Sequence, residues 1–185
     1  MKKVTIHIDG SNFYSAVRDL YGRTNIDYRA LMNKLTNIKP GRELLRGYFY
    51  TVELPEDYDP VEREKNARFI YTISQVPYLD IVYGKLRRRV TPTGHTYYEE
   101  KGTDINLAVN LLTGAFLGTY DVAVVVAGDT DYSKVISEVK RLGKHVEIAW
   151  FRNQSPYNLS QELVRVADDV IVLDEVFLSD CWYQR

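Results

Sequence analysis

Four aspartates stand where this sequence could do chemistry. Asp9 ends the apolar–polar alternation Lys3–Ile8 and is followed by Gly10-Ser11-Asn12. Asp129 and Asp131 follow the aliphatic run Asp121–Ala127 through Gly128. Asp104 opens an amphipathic stretch after Lys101-Gly102-Thr103. Each alone also fits a structural role, because Asp caps helices and closes turns. Together they imply more. Carboxylates gathered at one edge repel one another and raise each other's pKa unless a cation is present. Oxygen-only ligands suit Mg²⁺ or Mn²⁺, ions that usually keep several waters and bind phosphates. No HExxH or Cys-x-x-Cys spacing competes for zinc, and Cys181 is the sole cysteine. His7, His95 and His145 are isolated, and His7 and His145 fall in expected strands and read as structural.

The opposite charge is concentrated in Gly84-Lys85-Leu86-Arg87-Arg88-Arg89. From Gly84 to Lys101, five Lys/Arg against two Glu leave a local balance of +3. On a strand, Lys85, Arg87 and Arg89 share one face and Arg88 points the other way. Cations at every second residue match a groove that follows a phosphate backbone. Of 15 tyrosines, eight fall between Tyr48 and Tyr98, and Tyr83, Tyr97 and Tyr98 could stack on unpaired bases. The same pattern also fits an edge strand protected by charge, with tyrosines packed on sheet faces.

These residues need elements to bring them together. Lys3–Ile8 predicts a strand, and Ser11 caps a helix through about Tyr21. Asp27 caps a second helix, Tyr28–Thr36. Glu43–Val52 is β-rich, and a helix is expected over Val61–Ser74. Leu79–Val90 reads as a strand, with Thr91–Gly94 as a turn and His95–Glu99 as its return. Asp104–Leu117 carries apolar residues at helical spacing. Asp121–Ala127 reads as a strand buried on both faces of a parallel sheet. Tyr132–Leu142, Lys144–Trp150, Asn158–Ala167 and Val170–Leu173 continue the alternation as helix, strand, helix and strand. The rhythm predicts a single-domain, three-layer α/β fold with a mostly parallel central sheet and helices on both faces. In such sheets ligands bind beyond the carboxyl ends of the strands, where Asp9, Asp129 and Asp131 fall.

The chain has 185 residues, one domain's worth. Lys and Arg number 24 against 25 Asp and Glu, a net charge of −1 that argues against binding polyanions by bulk charge. The N-terminus is too interrupted for a signal peptide, and the longest aliphatic run is far short of the roughly 20 residues that span a bilayer. No membrane partner and a cytoplasmic location are therefore expected.

Three segments resemble the signatures of the NYN domain family, whose bacterial members include the LabA-like proteins. They are Ile8-Asp9-Gly10-Ser11-Asn12-Phe13, Lys101-Gly102-Thr103-Asp104-Ile105-Asn106-Leu107-Ala108 and Ala127-Gly128-Asp129-Thr130-Asp131-Tyr132. Leu142–Glu147 also fits, and the resemblance runs from about Lys3 to Leu173. It implies a PIN-like fold related to metal-dependent ribonucleases, with the domain over 1–175 and a tail over 176–185. It implies Mg²⁺ or Mn²⁺ held at Asp9, Asp104, Asp129 and Asp131, with Asn12 and Lys101 beside the site. Ser11, Lys85, Arg87 and Arg89 join Lys101 as substrate-binding residues, and Asn110 and Thr130 support the ligands from behind. Similar sequences often carry Asp where this chain has Asn110, which weakens the electrostatic case for a second metal. The implied activity is hydrolysis of single-stranded RNA.

Three other readings bear comparison. A catalytically weak RNA-binding module is favoured by Asn110. A phosphatase of the haloacid-dehalogenase type expects Asp-x-Asp after the first strand, where this chain has Asp9-Gly10-Ser11. A nucleotide-binding oxidoreductase expects Gly-x-Gly-x-x-Gly, which is absent. A DNA substrate stays open. The tail, with Trp182 and Tyr183, docks on the body or on a second subunit, which leaves room for a homodimer.

Overall fold

The computed structural model describes Met1–Tyr183. Its strands are β1 (Lys2–Asp9), β2 (Arg42–Glu53), β3 (Leu79–Val90), β4 (Thr96–Lys101), β5 (Val122–Val126), β6 (His145–Trp150) and β7 (Asp169–Val172). Its helices are α1 (Gly10–Tyr21), α2 (Tyr28–Asn37), α3 (Pro60–Ser74), α4 (Thr103–Phe116), α5 (Ser133–Arg141), α6 (Gln161–Val166) and α7 (Glu175–Leu178). The sheet order is β4-β3-β2-β1-β5-β6-β7. Among the described residues, the β3–β4 hairpin is the one antiparallel pair of the sheet, and its other neighbours run parallel.

The order explains where a site belongs. From β1 the chain builds outward through β2, β3 and β4, then returns to lay β5 on the other side of β1. β1 and β5 therefore flank a topological switch point, the place where open α/β sheets bind ligands. Both strands are buried through their last residues, as the continuous apolar run of β5 predicts, whereas in β1 the polar positions Thr5 and His7 of the alternation are buried as well.

Two helix layers cover the sheet. Phe49 of β2 meets Tyr28 of α2 and Phe69 of α3, and Phe13 of α1 meets Tyr28. The next residue, Tyr50, points the other way and meets Asn110 of α4. α4 packs beside α5, and α5 beside α6. The expected three-layer arrangement is the observed one.

Several local expectations shift. Ser11 does not cap α1: the cap is Asp9, whose carboxylate accepts from the Asn12 N–H. The expected helix at Tyr132 begins as one 3₁₀ turn over Thr130–Tyr132 before α5. α6 starts at Gln161 rather than Asn158, because the Leu159 N–H is bound to the Phe151 carbonyl and Ser160 caps the helix. The described part of the tail docks on the body. The Arg23 guanidinium sits 3.7 Å over the Trp182 ring, and Tyr183 N–H donates to the Asn25 carbonyl.

Candidate active site

Asp9 is the buried centre of the acidic edge, only 3% exposed at the last position of β1. Its Oδ1 accepts from the Asn12 backbone N–H at 3.3 Å. Its Oδ2 accepts from the Asn12 amide at 2.8 Å and from the Tyr132 hydroxyl at 3.0 Å. Burial raises the Asp9 pKa; the Asn12 and Tyr132 hydrogen bonds oppose that, and the charge of Glu100 adds to it. The net direction is upward.

Glycines let the backbone come this close. A Cβ at Gly10 would overlap the Phe49 ring and the Tyr50 carbonyl, and one at Gly128 would overlap the Trp150 indole. The glycine after Asp9 and the glycine before Asp129 are thus required by packing.

Tyr132 joins the segments. Burial raises its pKa first, then the charge and hydrogen bond of Asp9, then the charges of Asp104 and Asp129. Its proton stays on and is donated to Asp9. Three of the four expected aspartates therefore act on one phenol. Asp129 caps the turn over Thr130–Tyr132 by accepting from the Asp131 N–H at 3.1 Å. Asp104 and Asp131 are exposed. Asp104 rides on a helix start with no side-chain cap, next to Thr103, whose buried Oγ1 has no hydrogen-bond partner. Thr130 donates to the Ser160 hydroxyl at 3.0 Å, which ties the turn to the start of α6. Sequence reasoning left Tyr132 and Glu100 without roles. Tyr132 lies inside a quoted motif, but only the fold shows its hydroxyl reaching back to β1.

Asn110 has a definite partner. Its amide donates to the Tyr50 hydroxyl at 3.3 Å. That hydroxyl lies 2.9 Å from His7 Nδ1, and His7 Nε2 lies 3.2 Å from Thr5 Oγ1. The phenol proton is thus left for Nδ1, and the neutral ring donates from Nε2 to Thr5. Burial pushes the His7 pKa down to about 3, which agrees with a neutral, structural ring.

The cationic face is partly spent. Arg89 Nε lies 2.9 Å from Glu99, and Lys101 Nζ lies 2.5 Å from the other oxygen of Glu99. Arg88 approaches Asp57 at 3.9 Å. Among the described residues, Lys85 and Arg87 have no ion-pair partner, and both are exposed. Tyr83 and Tyr97 are exposed as well. Tyr98 instead packs on Tyr58, with ring centres 4.7 Å apart. Ser11 is half-buried at the start of α1.

The donor chemistry fits a hydrated divalent cation. All four carboxylates offer oxygen, and among the described residues no Lys, Arg or His side chain pairs with any of them. Among the described residues, no three His, Cys, Asp or Glu side chains lie close enough to grip one ion together. Mg²⁺ is commonly held by one or two carboxylates and keeps its waters, so one or two of these aspartates, with water completing the shell, is the arrangement compatible with that.

Among the described residues, no helix is long and apolar enough to cross a membrane. The crystal structure of a protein of unknown function from Vibrio parahaemolyticus is similar, with a TM-score of 0.68 and 20% identity over 94% of each chain. At that identity the likeness shows the fold. No curated protein matches the chain. The family comparison matches the NYN domain over residues 3–174. That match covers nearly the whole of the PIN-like sheet and its helices, so this chain belongs to the NYN domain family, a nuclease-like family.

Proposed function

We propose that this protein is a divalent-metal-dependent ribonuclease acting on single-stranded RNA. The observation that carries the reading is an acidic edge centred on buried Asp9, whose four aspartates pair with no Lys, Arg or His side chain among the described residues. Asp9, Asp129 and Asp104 would hold Mg²⁺ or Mn²⁺ directly or through water, with Asp131 beside them. When bound, such an ion supplies Lewis-acid stabilisation and a water of lowered pKa. The chain's own residues do the rest. Asn12 and Tyr132 fix the Asp9 carboxylate by hydrogen bonds. Lys85 and Arg87 offer free cations to the phosphate backbone. Lys101, already paired with Glu99, reaches a phosphate only by sharing that partner.

The test is cleavage of labelled single-stranded RNA with Mn²⁺, by the wild type and by Asp129→Asn. The wild type should cleave and the variant should fall by at least about a hundredfold, the scale of losing one charge-stabilising group. Equal cleavage by both would overturn the assignment.

A second reading is an RNA-binding protein that cuts poorly. Its support is Asn110, whose uncharged amide is engaged with Tyr50. RNA retention without metal-dependent cleavage is the outcome that distinguishes it.

A further inference from the structure

A cavity of about 350 Å³ opens beside the acidic edge, between α1, α3 and the carboxyl end of β2. It begins at Gly10 and Ser11, the two residues after Asp9. The volume lies at the lower end of small-molecule pockets, enough for one compact group and not for a polymer.

Its walls are aromatic and braced. Tyr14 stands edge-on to Phe69, with ring centres 5.1 Å apart. Phe69 is backed by Phe49 at 5.9 Å and Tyr28 at 6.4 Å. Tyr58, on the loop before α3, leans on Tyr98 of the hairpin. Polar groups face the same space. Ser15, Thr51 and Asn66 line it, and among the described residues their side chains make no hydrogen bond to the rest of the chain. At the mouth, Lys65 is paired with Glu62 at 2.7 Å on the exposed side of α3.

A flat ring with hydrogen-bonding edges matches these walls, since bases stack on aromatic side chains and present donors and acceptors at their rims. The opening beside Asp9 matches a ring that is carried on a phosphate. We propose that this cavity is a subsite for one unpaired nucleobase of the RNA strand, next to the phosphate that a divalent ion held at Asp9 would bind. The proposal rests on the ribonuclease reading for the identity of its ligand. Ser15, Thr51 and Asn66 read the edge of the base, and the three rings hold its faces.

The experiment uses a single-stranded hexanucleotide with phosphorothioate linkages, which resist hydrolysis. One 2-aminopurine, whose fluorescence falls on stacking, is moved through its six positions in Mg²⁺ buffer. Binding to the wild type should quench one position far more than the others. Ser15→Trp, which fills the cavity, should remove that quenching and weaken affinity at least about fivefold, the range of one base–aromatic stack. Asn66→Leu, at a half-buried position of α3 where the side chain makes no hydrogen bond among the described residues, should weaken it less while leaving the thermal melt unchanged. Uniform quenching along the strand, or quenching that survives Ser15→Trp, would overturn the subsite. Cleavage assays of unmodified RNA separate this from failure of the ribonuclease reading. If that reading alone fails, no protein cleaves, yet one-position quenching persists and is lost in Ser15→Trp. If the subsite alone fails, the wild type and Ser15→Trp cleave with the same KM.

Discussion

Asp9 shows how a structural residue can leave room for chemistry. A helix cap and a metal ligand make different demands on a carboxylate, and the hydrogen bonds at Asp9 leave one lone pair over. Oδ1 takes the α1 backbone, Oδ2 takes Asn12 and Tyr132, and one lone pair of Oδ1 stays free. The two meanings of an Asp after a strand, cap or ligand, were therefore never exclusive. Tyr132 is the residue whose loss should expose this. Tyr132→Phe removes a donor from a buried carboxylate and puts no polar group in its place. Stability should fall by about 1–3 kcal/mol, read from urea unfolding, the cost of leaving a buried polar group short of a partner. Metal-dependent cleavage should fall with it, because Asp9 loses one of the bonds that orient it. Wild-type stability and rate in this variant would show that the hydrogen bond contributes nothing.

At the scale of elements, the sequence told most where period and burial coincide. The strand of Leu79–Val90 and the buried run of Val122–Val126 were legible because nothing competes with their patterns. The start of α6 was not, since Leu159 is drawn into an extended hydrogen bond with Phe151 that only the packed strand β6 supplies. The hairpin of β3 and β4 was legible as a shape but not as a charge pattern. Alternation put Lys85, Arg87 and Arg89 on one face, yet pairing with β4 spends Arg89 on Glu99. This divides the three cations into two kinds. Neutralising Lys85 and Arg87 together should reduce the slope of log Kobs against log salt by roughly 1.4 for single-stranded RNA, about 0.7 per phosphate contact. Arg89→Ala should change the slope less, because it also frees Glu99. Filter binding across a salt series reads both, and an unchanged slope in the double variant would remove the hairpin from the RNA path.

Across the whole molecule, a net charge of −1 divides between two edges of one sheet that treat charge in opposite ways. At the amino-terminal edge, Glu147 of β6 is buried but held by a two-pronged pair with Arg42 at 2.7 and 2.9 Å and by Lys39 at 2.6 Å. Burial pushes its pKa up, but hydrogen bonds and charge from Arg42 and Lys39 outweigh this, and the net shift is downward. A lowered carboxyl pKa adds stability that is complete above the ordinary glutamate range and is lost as pH falls through the lowered value. Arg42→Leu should therefore cost about 3–5 kcal/mol at neutral pH, the penalty of a buried charge stripped of its main partner. Its acid unfolding midpoint should rise, and urea unfolding at neutral and acid pH checks both effects.

The carboxyl-terminal edge has no such compensation: Asp9, Asp104 and Asp129 press on Tyr132 without a basic partner among the described residues. Asp9 is buried there with its pKa raised, first by that burial, and a bound cation would offset the cost of its charge. Stability should therefore respond to metal even when no RNA is present. Adding Mg²⁺ should raise the melting temperature of the wild type with increasing concentration, by about 2.7 kcal/mol of stability at a hundred times Kd. Asp129→Asn removes one oxygen ligand, so it should gain less stability from Mg²⁺ than the wild type does. A wild type indifferent to Mg²⁺ would remove the cation, and a variant that gains as much as the wild type would remove Asp129 from its ligands.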